Sequence, residues 1–122
     1  MKRVLDVGQC AADHGSIRRL IEGHFKAEVV QAHSANDALD QLREGPFDLV
    51  LINRVLDVDG GSGLEIIEQI KSDSNLRDVA VMLITNYPEH QQRAVAAGAE
   101  AGFGKAQLHG PEAHQRLAAI LA

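Results

Sequence analysis

The chain has 122 residues, enough for one ordinary domain that can bury an apolar core without disulfide or metal staples. Its formal net charge is -5 and its Lys and Arg never cluster beyond a pair, which removes the basic stripe that a nucleic-acid footprint needs. A lone cysteine, Cys10, rules out an intrachain disulfide and suits a reducing cytoplasm, and no apolar run approaches a membrane span.

Aromatic residues are limited to Phe25, Phe47, Tyr87 and Phe103, so the core must be built from Val, Leu, Ile and Ala. Short apolar runs over 4–7, 27–32, 49–52, 79–84 and around Phe103 read as strands. The third and fourth runs are almost continuous, as expected of strands covered on both faces.

Between them the apolar spacing becomes helical. Ile17, Leu20, Ile21 and Phe25 form one stripe; Ala35, Ala38, Leu39 and Leu42 form a second. Leu64, Ile66, Ile67 and Ile70 make a third, Ala94 and Val95 a weaker fourth, and Ala113, Leu117, Ile120 and Leu121 a fifth. Ser34 suits the N-cap of the second helix, and Gly45-Pro46 its end. Pro88 and Pro111 each suit a first helical position, and Gly98 the end of the fourth helix. Strands alternating with helices in this way predict parallel pairing, hence an α/β three-layer sandwich, (βα)5 and flavodoxin-like, with a five-stranded parallel sheet in a single domain over 1–122. In such sheets the working crevice lies outside the carboxyl ends of the strands, which directs attention to residues 8–16, 53–63, 85–87 and 104–106.

Those loops carry a resemblance to the receiver domains of response regulators in two-component, phosphorelay signalling, over nearly the whole chain. The third strand and its loop run from Asp48 through Asn53 and Asp57 to Gly60 and Leu64. This is similar to the family's strand that ends in a phosphoacceptor Asp. The fourth strand ends Met82-Leu-Ile-Thr85-Asn86, like the family's hydroxyl position. The segment from Ala94 through Gly98 and Phe103 to Lys105 resembles the run into the family's active-site Lys.

The departures bear on function. Asn53 stands at the implied phosphoacceptor position, and an amide lacks the anionic oxygen that attacks phosphorus. The implied acidic pair reads Gly8 and Gln9, which cannot supply the carboxylates that Mg²⁺ prefers. Thr85 and Lys105 are retained. Gly102 occupies the position of the family's switch aromatic, and Ala106 replaces the usual Pro after the Lys. The expectation is a degenerate receiver, or pseudo-receiver: not an enzyme, with no cofactor and no metal, acting in the cytoplasm through protein–protein interaction. By resemblance the partner protein, or a second copy in a homodimer, binds the surface from Tyr87 to Leu121. No output domain is recognisable, which implies either action in trans or a piece of a longer protein.

Several local readings accompany this. Lys105 is expected to hydrogen-bond the Asn53 amide oxygen and fill the site; with Thr85 and Arg54 it could instead hold an anion. Asp6, odd in a buried strand, could be a relic of the acidic pair. The loop from Gly8 to Ser16 reads as several residues longer than the family's. It is a candidate lid over the crevice, with Asp13 or Ser16 capping the first helix. Cys10, Asp13 and His14 are weak metal-ligand candidates. Asp57 and Asp59 suit a turn with Gly60-Gly61, although Asp57 could serve as another phosphoacceptor. Histidines 14, 24, 33, 90, 109 and 114 share no ligand spacing and read mostly as surface residues. The alternative function is a small-ligand or nucleotide-binding flavodoxin-like protein that cradles phosphate with the loop from Gly8 to Ser16.

Overall fold

The computed structural model describes all of residues 1–122. Five strands, β1 (Lys2–Val7), β2 (Ala27–Ala32), β3 (Leu49–Asn53), β4 (Ala80–Ile84) and β5 (Glu100–Phe103), alternate with five helices. The helices are α1 (Ala11–His24), α2 (Ala35–Glu44), α3 (Gly63–Ser72), α4 (Pro88–Ala96) and α5 (Pro111–Leu121), with one 3₁₀ turn at Lys105–Gln107. All strand pairs are parallel, in the order β2-β1-β3-β4-β5, so the predicted α/β sandwich is the observed one. Chain progress across the sheet reverses between β1 and β3. A crevice therefore opens outside the carboxyl ends of these two strands.

Each sheet face has its own apolar layer. Ile17 and Ile21 of α1 join Ala113, Leu117 and Leu121 of α5 over Val4, Leu49, Leu51 and Met82. On the other face Leu42 of α2 and Ile66, Ile67 and Ile70 of α3 cover Leu5, Val50, Ile52 and Leu83. Because β3 and β4 are covered on both sides, they read as unbroken apolar runs. The caps fall where the sequence places them. Ser34 accepts from Asp37 N–H at 3.1 Å, Pro88 and Pro111 open their helices, and Gly98 takes a left-handed φ of +110° after α4. Ser62, not singled out from sequence, caps α3 by accepting from Glu65 N–H at 3.3 Å.

The first loop differs from expectation. α1 begins at Ala11, so Asp13, His14, Gly15 and Ser16 lie inside the helix and the β1–α1 connection is only Gly8 to Cys10. Cys10, not Asp13 or Ser16, is the N-cap, with no side-chain cap bond; Ser16 Oγ donates to the Ala12 carbonyl at 3.2 Å. The extra length is a longer helix, because a helix start without Ser, Thr, Asn or Asp at its cap carries no boundary signal. No segment is left to form a lid, and no Gly- or Ser-lined loop is left to cradle phosphate.

One close approach ties α3 to β3. A Cβ on Gly63 would lie 2.1 Å from the Asn53 carbonyl oxygen, a backbone atom with no rotamer to yield. Gly63→Ala should lower stability by about 2 kcal/mol, read as a lower urea midpoint at unchanged slope. An unchanged midpoint would mean that α3 can shift freely.

Candidate functional site

Four loops meet at the carboxyl edge of the sheet. Asn53 closes β3 opposite Ile84 of β4 and donates from Nδ2 to the Gly8 carbonyl oxygen at 3.0 Å. The same oxygen accepts from Asp57 N–H at 3.0 Å, so one carbonyl binds the end of β1 to the end of β3 and to the loop that follows. Gly8 itself sits at φ +79°, and a Cβ there would lie 2.3 Å from Leu56 Cδ2 and 3.3 Å from Leu56 Cα. Both the backbone angle and the space demand glycine. Gln9 is 2% exposed, and neither polar atom of its amide has a partner within hydrogen-bond distance.

Thr85 follows β4 and is buried. Its hydroxyl accepts from Tyr87 N–H at 3.3 Å and its own N–H donates to the Phe103 carbonyl at 3.1 Å. The hydroxyl thus shapes the turn into α4, consistent with a structural role. Lys105 does not reach Asn53 as expected. Its ammonium pairs with Asp13 Oδ2 at 2.8 Å, and Lys105 holds the Asp13 carboxyl below the usual carboxylate range. Both partners are more than a third exposed, so the pair adds at most about 1 kcal/mol of stability. Asn53, Arg54, Val55, Thr85, Tyr87 and Lys105 surround an open hollow of about 240 Å³, with the Arg54 guanidinium 5.5 Å from the Tyr87 ring centre.

A second constellation lies beside the crevice. Asp6 is fully buried inside β1, and its Oδ2 accepts from His14 Nδ1–H of α1 at 2.7 Å. Its other oxygen has no partner. Burial pushes the Asp6 carboxyl up to about 6, opposed by its hydrogen bond to His14 and more weakly by the Lys105 charge. Asp6 is thus a core acid bound to α1, not a free carboxylate at the strand end. His14 is no surface residue, with a side chain 14% exposed, whereas His24, His33, His109 and His114 are exposed. Helical spacing could not reveal the Asp6–His14 pair, since the start of α1 was unmarked; the one signal was a carboxylate in an apolar run.

The remaining candidates separate. Asp59 Oδ1 accepts from Gly61 N–H at 2.9 Å and Gly60 takes φ +72°, so this acid forms the expected turn. Asp57 is exposed. No three His, Cys, Asp or Glu side chains are placed to hold a metal ion; Asp13 is engaged by Lys105 and His14 by Asp6. Gly102 is buried in β5, and a Cβ there would meet the Leu83 carbonyl at 2.2 Å.

A doubly wound parallel sheet with its loops gathered over β1 and β3 defines a receiver-type α/β domain. The chain belongs to the response regulator receiver domain family, whose pattern matches residues 10–118. Over 66 residues, 54% of this chain, it is 36% identical to the phosphate regulon transcriptional regulatory protein PhoB of Escherichia coli. That stretch spans 28% of PhoB's length. Among solved structures, chemotaxis protein CheY4 of Vibrio cholerae matches with TM-score 0.78 at 21% identity, over 99% of each chain. Response regulator TrrA of Thermotoga maritima, solved with Mg²⁺ and BeF, matches with TM-score 0.80 at 22% identity, over 99% of this chain and 100% of its own. These two likenesses speak for the fold. No helix is long and apolar enough to cross a membrane.

Asp6 makes stability depend on pH in the direction opposite to an ordinary surface acid. Its folded value of about 6 lies above the unfolded 3.8, so the native state binds the proton more tightly. The stabilisation is complete below the unfolded value and is lost as pH rises through about 6. Asp6→Asn should therefore gain on the wild type by about 1–1.5 kcal/mol between about pH 5 and about pH 8, read from urea midpoints. A difference that does not change with pH would contradict a buried, partly unsatisfied carboxyl.

Proposed function

We propose that this receiver domain signals by binding a protein partner and does not take up a phosphoryl group. The hydrogen bond from Asn53 Nδ2 to the Gly8 carbonyl carries the reading. Asn53 occupies the strand end where the family places its phosphoacceptor, and its amide N–H bridges to the backbone across the crevice. A carboxylate at position 53 would set two acceptors about 3 Å apart, a contact that needs a cation between them. The residues present do not fit Mg²⁺. Position 8 has no room for a side chain, Gln9 is buried away from solvent, Asp13 is paired with Lys105, and Asp6 is buried against His14. Asp57 does not replace the nucleophile: it is exposed in the loop, with no cation or hydroxyl bound to its carboxylate.

The retained pair then has structural work: Thr85 shapes the β4–α4 turn and Lys105 fastens the 3₁₀ turn to α1. Binding falls to the surface from Tyr87 to Leu121, where Tyr87 is 53% and Val95 47% exposed. Such a domain works in the cytoplasm, is not an enzyme, needs no cofactor, and contacts a protein or its own copy rather than nucleic acid. The PhoB likeness supports two-component signalling as the setting, and the helical conformation of residues 13–16 within α1 disfavours a loop that cradles a nucleotide.

Incubation of the wild type with acetyl phosphate and Mg²⁺ should leave its mass unchanged. Asn53→Asp should also fail to gain a phosphoryl group, and should lose about 1–2 kcal/mol of stability from the broken bond to Gly8. A phosphoryl gain by the wild type would overturn the reading, and strong Mg²⁺-dependent gain by the variant would show that positions 8 and 9 are not the metal positions. Tyr87→Ala and Val95→Asp should abolish partner capture or self-association without moving the urea midpoint by more than about 0.5 kcal/mol. Binding unaffected by both would place the interface elsewhere.

A further inference from the structure

Edge strand β5 is held to its neighbours in an unusual way at Gly102. Pairing between β4 and β5 slips between Met82 and Ile84, which interrupts the regular ladder at this point. The Gly102 N–H is donated instead to Oε1 of Gln91, on α4, at 3.0 Å. The same Gln91 amide donates from Nε2 to the carbonyls of Leu83, at 2.8 Å, and Thr85, at 3.3 Å. The Gly102 carbonyl accepts from Arg116 of α5. One residue of the edge strand is thus gripped by α4 through its N–H and by α5 through its C=O.

The arrangement requires glycine at 102. A Cβ would approach the Leu83 carbonyl to 2.2 Å and both polar atoms of the Gln91 amide to 3.2–3.3 Å. The Leu83 backbone carbonyl excludes a side chain at 102, and the Gln91 amide packs tightly over the space that remains. A switch needs an element with two arrangements of similar free energy. Here a planar amide satisfies one donor and two acceptors at once across the slip, and any displacement of α4 along β5 leaves half-buried backbone groups without partners.

We propose that Gln91 is a lock: it holds α4, β5 and α5 in a single arrangement and uncouples that surface from whatever happens in the crevice. This rests on the reading of the surface from Tyr87 to Leu121 as the binding face, whose regulation it describes: the face is permanently formed. The grip on the Thr85 carbonyl extends the lock to the crevice end of β4, so a change at Lys105 has no mobile element to act on.

The test uses the chain alone, by amide hydrogen exchange and ¹⁵N relaxation dispersion. In the wild type, Gly102 should be protected and residues 88–103 should show no microsecond–millisecond exchange. Gln91→Ala should speed Gly102 exchange by about tenfold, the effect of one hydrogen bond on a local opening, and bring exchange to α4 and β5 but not to β1–β3. Gln91→Glu sets a carboxylate oxygen against the Leu83 and Thr85 carbonyls in place of both donors, so α4 becomes mobile and Gly102 exchanges faster than in the wild type; it serves if the alanine variant does not fold. Lys105→Ala should leave the amide shifts of residues 89–97 in place with Gln91 present and move them in the Gln91→Ala background. Exchange across α4 and β5 in the wild type, equal Gly102 rates in wild type and Gln91→Ala, or α4 shifts from Lys105→Ala alone would each overturn the lock. Those outcomes leave partner binding untouched, and an interface found elsewhere leaves the lock untouched.

Discussion

A single oxygen, the carbonyl of Gly8, organises the crevice. It accepts from the Asn53 amide and from Asp57 N–H, and so fastens β1 to β3 at the point where the sheet reverses direction. Its aim depends on the left-handed φ of Gly8, and Leu56 packs where a side chain at position 8 would have to go. The neutral amide at 53, the glycine at 8 and the seat of Leu56 are therefore one solution. Any one of them replaced by its charged or bulkier counterpart leaves the others with a clash or with two acceptors face to face.

Charge is accordingly moved out of the crevice and settled locally. Lys105 turns to Asp13, one helical turn into α1, and the acid that remains in β1 is Asp6, bound to His14 of the same helix. Each of these two carboxylates is thus paired through α1, Asp13 from that helix to Lys105 and Asp6 to its His14. The cost of burying Asp6 is only partly met, which is why its carboxyl holds its proton to higher pH than a solvated acid. At the far side of the sheet the slip between β4 and β5 is closed by Gln91 and not by an aromatic side chain. Crevice and edge are each satisfied by amides and ion pairs within the chain.

Most of the fold was legible in the sequence. Apolar runs of β3 and β4, covered on two faces, and the helical stripes of α1, α2, α3 and α5 place every layer, because burial is periodic in elements of regular geometry. The residue types at 8, 9, 53 and 102 are legible in the sequence; what each of them touches is not. Cys10 gives no cap signal, so the sequence does not mark the start of α1 and its first turn reads as a loop. The Lys105–Asp13 pair is hidden for the same reason: only with Asp13 as the third residue of α1 does its carboxylate reach Lys105. Gln91 gave no signal at all: an amide on a polar helix face looks like a solvated residue until the strand slip shows what it replaces.

If Asn53 stands in for the phosphoacceptor as proposed, the crevice binds no divalent cation, and a titration of Mg²⁺ into the chain followed by ¹⁵N amide shifts tests this most directly. No saturable change is expected at Gly8, Asn53, Asp57 or Lys105 across millimolar concentrations, beyond drift shared by exposed acids. Saturable shifts confined to those residues, with the Asn53 side-chain amide among them, would contradict it.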